Sequence, residues 1–101
     1  MDSDRAYLEA YLNLGCLLSE CGRHDEAIGV WRTALLENPD HHLLHFNLSV
    51  ALEDSGRLEQ SLIAYRRSIE LKQDFADAHF NAARIHEELG QQTHAIRHYN
   101  A

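Results

Sequence analysis

Proline occurs once in the 101 residues, at Pro39, and glycine only five times. A chain so poor in helix breakers can be helical over most of its length, and it has no glycine-rich loop of the kind that cradles a phosphate. No apolar run approaches the length of a membrane span, and the polar start MDSDRAY is not a secretory signal. Basic residues are few, with 9 Lys and Arg against 16 Asp and Glu and a formal charge of −7. Nucleic-acid binding rests on phosphate neutralisation by Lys and Arg, so that class is excluded and a neutral or basic protein or peptide partner is favoured. The two cysteines, Cys16 and Cys21, are five apart on what reads as one helix, which places them on different faces. No disulfide is expected between them, and the expected setting is cytoplasmic and reduced. A nucleophile elbow and a spaced cysteine motif are both missing, and no pair of residues suggests an activated thiolate at Cys16, with His24 beyond the next turn. No catalytic residue and no cofactor is therefore expected.

What the chain does have is a repeat. Shifted by 34 residues, Tyr11, His45 and His79 align, as do Leu14, Leu48 and Ala82, and the small residues Gly15, Ser49 and Ala83. Leu18 and Leu52 follow, with His86 breaking the pattern. Then come Gly22, Gly56 and Gly90, the small residues Ala27, Ser61 and Ala95, and the aromatics Trp31, Tyr65 and Tyr99. Within the first unit, Tyr11, Leu14, Gly15 and Leu18 fall at i, i+3, i+4, i+7, one face of a helix, and Ala27, Trp31, Ala34 and Leu35 form a second stripe. Gly22 lies between the stripes, where one helix must end and the chain turn back through positive φ. Small side chains at 15 and 27 let the two antiparallel helices approach, with the ring of Trp31 filling the space beside them. Pro39 ends the second helix. First helices are thus predicted over 4–20, 41–54 and 75–88, and second helices over 25–37, 59–71 and 92–100.

A helix–turn–helix unit of 34 residues, written YLNLGCLL…G…A…W..A….P in its first copy, resembles the tetratricopeptide repeat family over roughly residues 8–101. The resemblance implies an all-α fold, a right-handed α-solenoid of three stacked helical hairpins in one domain, with repeats at 8–41, 42–75 and 76–101. The chain departs from the family pattern where Gln73 replaces the closing proline, where His86 replaces a large apolar residue, and where the third copy stops at Ala101. Ile96 and Tyr99 would then lack full cover, so the expectation is a segment of a longer protein; end-to-end stacking of copies, a homo-oligomer through the terminal repeats, is the other arrangement.

Three asparagines recur at the same spacing, Asn13, Asn47 and Asn81. Asn is a poor helix former, so its place in three helices asks for a reason. On a helical wheel Asn13 lies nearly opposite the packing stripe, on the side that faces the hollow of a repeat stack. An exposed amide carries one acceptor and two donors, which suits it to pair with the C=O and N–H of a peptide. The tetratricopeptide arrays of O-linked N-acetylglucosamine transferases are similar, with asparagines in this frame that hold an extended peptide by its backbone. Carried onto this chain, that resemblance makes Asn13, Asn47 and Asn81 a ladder. Leu12, Cys16, Phe46, Val50, Phe80 and Arg84 share its face as further candidate peptide contacts. Another mode of the family clamps a C-terminal carboxylate with Lys, Asn and Arg. It is excluded, because only Asn47 matches and Leu12, Cys16, Asp77 and Asn81 stand at the other positions.

Eight histidines raise a metal-binding alternative. His41 with His45, and His94 with His98, have the i, i+4 spacing of a chelating pair. Nothing supplies further ligands, however, and His45 and His79 occupy the packing register of Tyr11. They are read as half-buried core residues, and no metal site is expected. A histidine population of this size is also expected to make stability sensitive to pH near neutrality.

Overall fold

Glycine and proline punctuate the chain into helices. The computed structural model describes the backbone of residues 2–100 and the side chains of residues 7–90. Its helices are α1 (Asp2–Glu20), α2 (His24–Glu37), α3 (His42–Asp54), α4 (Leu58–Leu71) and α5 (Ala76–Asn100). Both hairpin turns close identically. Gly22 takes φ +76° and Gly56 φ +83°, left-handed values open to glycine without strain. Gly22 N–H donates to the Ser19 carbonyl at 3.1 Å and Arg23 N–H to Leu18 at 2.9 Å; Gly56 and Arg57 repeat this on Glu53 at 2.9 Å and Leu52 at 2.8 Å. These paired bonds are the Schellman arrangement, which satisfies carbonyls that a helix end leaves free.

Each helix packs on the next in sequence, both within a unit and from one unit to the next. Trp31 (1 % exposed) and Tyr65 (0 %) fill the expected spaces beside the small residues Ala27 and Ser61, both fully buried. The approach of α1 to α2 depends on Gly15, where a Cβ would lie 2.3 Å from Cζ2 of Trp31. In the second hairpin the small residues are serines, and their hydroxyls are not stranded. Ser61 donates to the Ser49 carbonyl at 2.7 Å and Ser68 to the His42 carbonyl at 2.9 Å, tying α4 to α3. Buried hydroxyls bonded in this way cost little and set the register of the pair.

Three expectations need correction. Gly90 does not turn the chain: it lies within α5, which runs unbroken from Ala76 to Asn100 in place of helices over 75–88 and 92–100. The reason is visible at His86. Its equivalents Leu18 (9 % exposed) and Leu52 (2 %) are covered by the arm that folds back, whereas His86 is exposed and offers such an arm nothing apolar to cover. Gln91 and Gln92, good helix formers, follow directly. The expected packing of Ala95, Ile96 and Tyr99, and the pair His94 and His98, fall outside the described side chains. Second, Leu14 is 46 % exposed, while Leu48 and Ala82, which take its place in later units, are buried against the preceding hairpin.

Third, His45 and His79 are not core residues. Nε2 of His45 donates to the Pro39 carbonyl at 2.8 Å and Nε2 of His79 to the Gln73 carbonyl at 2.8 Å. Each is a strap from a first helix to the loop before it. His45 is half-buried and His79 exposed. Among the described residues no group of three or more His, Cys, Asp or Glu comes together.

Candidate functional site

The first helices of the units carry the asparagines. Between α1 and α3 lies a groove of about 270 Å³, lined by Cys16, Ser19 and Glu20 of α1, Trp31 of α2, and Phe46, Asn47 and Val50 of α3. It exists because α3 buries Leu44, Leu48, Ser49, Ala51 and Leu52, leaving Asn47 and Val50 at the margin of that face. Phe46 is held as one wall by edge-on contacts with Tyr65 at 5.7 Å and Phe75 at 4.9 Å. Asn47 is half-buried and its amide makes no hydrogen bond among the described residues. Nε1 of Trp31, the chain's one tryptophan, is buried and also unpartnered. A buried donor left unsatisfied, as the Trp31 indole is, costs about 1–3 kcal/mol and is rare in folded proteins.

The junction between α3 and α5 has the same register and a different filling. The 34-residue shift turns Ser19, Trp31, Asn47 and Val50 into Glu53, Tyr65, Asn81 and Arg84. Here Arg84 pairs with Glu53, whose side chain is only 13 % exposed, and reaches Glu88 at 3.4 Å. The Tyr65 hydroxyl donates to Oε1 of Glu53 at 3.1 Å and accepts from Nδ2 of Asn81 at 3.2 Å. Arg84 also approaches Oδ1 of Asn81 at 3.5 Å. Burial, with the neighbouring Glu53 charge, pushes the Tyr65 hydroxyl well above its usual range, and the bond to Glu53 holds the Arg84 guanidinium more firmly charged.

The nine residues expected along the groove therefore separate. Cys16, Phe46, Asn47 and Val50 come together. Asn13 is exposed on α1 and its side chain makes no hydrogen bond among the described residues, while Leu12 turns partly into the core. Phe80 projects from α5 at 70 % exposure. Asn81 and Arg84 spend their polar groups on one another and on Tyr65 and Glu53, so the third amide is not free as the other two are. Sequence reasoning missed Ser19 and Trp31 as lining residues. The signal was present in the shift itself, since Ser19 and Val50 stand where the opposite charges of Glu53 and Arg84 stand.

Stacked helical hairpins with one hollow face define a repeat scaffold that presents a surface to other proteins. A family model described as "Tetratricopeptide repeat" matches residues 12–74 and another of that description matches residues 76–101. The chain belongs to the tetratricopeptide repeat family, and as such it is a protein-interaction module of a family generally made of non-enzymatic scaffolds. No curated protein sequence matches it. Among solved structures it is similar to a point mutant of MamA, with TM-score 0.75 and 20% identity over 96% of this chain and 75% of that one. It is also similar to MamA 41-end from Desulfovibrio magneticus RS-1, with TM-score 0.78 and 16% identity over 92% of this chain and 52% of that one. It thus spans about half the length of the latter. These likenesses concern the fold. Among the described residues no helix is long and apolar enough to cross a membrane.

Proposed function

We propose that the chain recruits another protein by holding an extended segment along the hollow face of α1 and α3, with the amides of Asn13 and Asn47 pairing to the segment's backbone. The observation that carries this reading is the half-buried Asn47 amide, without a partner among the described residues at the edge of a groove of about 270 Å³. Phe46 and Val50 supply apolar contact. Glu20, together with the formal charge of −7, favours a segment bearing Lys or Arg. Asn81 is not a third rung in this arrangement, because Tyr65 and Arg84 occupy it. The ladder has two rungs and the bound segment is short.

The test is calorimetric titration with basic, extended eight-residue peptides selected from an array, set beside thermal melts. Two neutral hydrogen bonds at about 0.5–1.5 kcal/mol each make Asn47→Ala weaken binding by roughly 5- to 100-fold. Its melt should stay close to wild type, since no internal bond is lost. Asn81→Ala should do the reverse, lowering the melt and leaving binding nearly intact. Equal losses of binding in both variants, or a large loss of stability in Asn47→Ala, would overturn the reading.

End-to-end association is a second reading, favoured by the open hollow of about 600 Å³ beside Tyr11, Leu14 and Val30 on the outer side of the first hairpin. Light scattering over a range of concentrations distinguishes it: a constant monomer mass excludes it.

A further inference from the structure

The two junctions differ in one respect that has a chemical meaning. At the second, the tip of Glu53 reaches in from α3, accepts the hydroxyl hydrogen of Tyr65, and is held there by Arg84. At the first, Ser19 stands in place of Glu53 and is too short to make that bond, and Val50 stands in place of Arg84. The aromatic donor is still present. Nε1 of Trp31 is buried with no acceptor, in a side chain 1 % exposed. Its benzo edge at Cζ2 and Cη2, with Cε2 beside it, is the one pressed on Gly15 of α1, one helical turn before Ser19. The two positions that serve Tyr65, residues 53 and 81, correspond here to Ser19 and Asn47, and neither side chain makes a hydrogen bond among the described residues.

The geometry points to this groove as a subsite for one glutamine side chain of the bound segment, its carbonyl oxygen taking the place at Trp31 Nε1 that Glu53 takes at Tyr65. The inference rests on the proposed binding of an extended segment along α1 and α3. Three features select the chemistry. The donor is buried in a side chain that lines the groove, a place suited to a side-chain tip more than to a backbone carbonyl lying along the rim. The walls at Cys16, Phe46 and Val50 suit a methylene stem. A carboxylate of the same length is disfavoured, because Glu20 is beside it and Val50 removes the cation that holds Glu53 in the other junction. A neutral amide meets all three conditions, and its NH₂ group is a donor for Glu20 or the Asn47 carbonyl.

The lone tryptophan gives a single indole signal in a proton–nitrogen correlation spectrum, a direct probe of this bond. Labelled protein is titrated with N-acetyl-Ala-Lys-Gln-Ala-amide, and with the same peptide carrying leucine or glutamate in place of glutamine. The expected result is a saturating downfield shift of the indole N–H with the glutamine peptide alone, while the Asn47 side-chain amide moves with both the glutamine and leucine peptides. The double variant Ser19→Glu, Val50→Arg should fold, show the indole already shifted without peptide, and no longer respond to glutamine. If the Asn47 amide moves with every peptide and the indole with none, or the indole moves equally with glutamine and leucine, the subsite is refuted and backbone capture stands. If neither signal moves with any peptide, both readings fail. The three-peptide comparison on the unmodified chain decides the matter even if the double variant misfolds.

Discussion

Replacing Gly15 with alanine would set a carbon 2.3 Å from Cζ2, 2.4 Å from Cη2 and 2.7 Å from Cε2 of Trp31. Carbon atoms in contact settle at about 3.5–4.0 Å, so either the ring or α1 must give way by roughly 1 Å. The ring has nowhere to go, being 1 % exposed and packed with Ala27, Ala34 and Leu44. Overpacking of a rigid site costs about 1–3 kcal/mol and sometimes more. Alanine in a helix offsets about 1 kcal/mol of that relative to glycine. A net loss of about 1 kcal/mol should lower the melting midpoint by roughly 4–8 °C in a domain of this size. Gly29 provides the control. It is exposed within α2, and nothing lies within 4 Å of a Cβ there. Gly29→Ala should therefore raise stability by about 0.5–1 kcal/mol. The assay is thermal unfolding by circular dichroism of the two variants side by side. Shifts of the same sign, or a Gly15→Ala midpoint at or above wild type, would refute the wedging of the indole between α1 and α2.

The remaining predictions concern the charged junction and the titrating groups. Arg84→Val, which copies Val50, should cost about 1–2 kcal/mol by leaving Glu53 half-buried without its cation, measured by urea unfolding; no loss would mean the pair is not sustained in solution. The Tyr65 hydroxyl titrates above its ordinary value of 10.0, so above that pH the unfolded chain releases a proton that the fold retains. Stability should accordingly be intact below pH about 10 and fall as pH rises beyond it, a slope that Tyr65→Phe removes in alkaline melts. His42 titrates below its ordinary 6.5, chiefly through burial and then the charges of Lys72 and His41. Below 6.5 the unfolded state binds more protons than the folded one, so the melting midpoint should decline as pH is lowered from about 8 to about 5.5; a decline unchanged in His42→Gln would assign it elsewhere.

How far the residues announced this structure can be judged at particular positions. Gly22 and Gly56 were readable as turns because glycine, flanked by two apolar stripes, marks a reversal. Gly90 carried the same local mark. What differed was the reward for reversing, and that lay four residues upstream in His86, a tertiary consideration that spacing does not weigh. The pairing of Gly15 with Trp31 followed from size alone. The histidines at 45 and 79 share the Tyr11 register, but register does not say that an imidazole will prefer a loop carbonyl to the core. The asparagines were visible as a period, and yet a period cannot distinguish an amide that is free from one that is engaged. Asn47 and Asn81 are separated by the identity of residues 31 and 65, indole against phenol, and of residues 50 and 84 on the neighbouring helical turn. Comparing the repeats for where they differ in charge, rather than for where they agree, finds both the Glu53–Arg84 pair and its missing counterpart.

Cys16 and Cys21 offer the most direct measurement of where a partner lies. Both are free and exposed, but only Cys16 lines the groove beside Asn47. A basic, extended peptide carrying a bromoacetyl group should alkylate Cys16 far faster than Cys21, with a rate that saturates as peptide is added and that slows in the Asn47→Ala variant. Equal labelling of the two cysteines, rising in proportion to peptide without saturation, would contradict the assignment of the binding surface to α1 and α3.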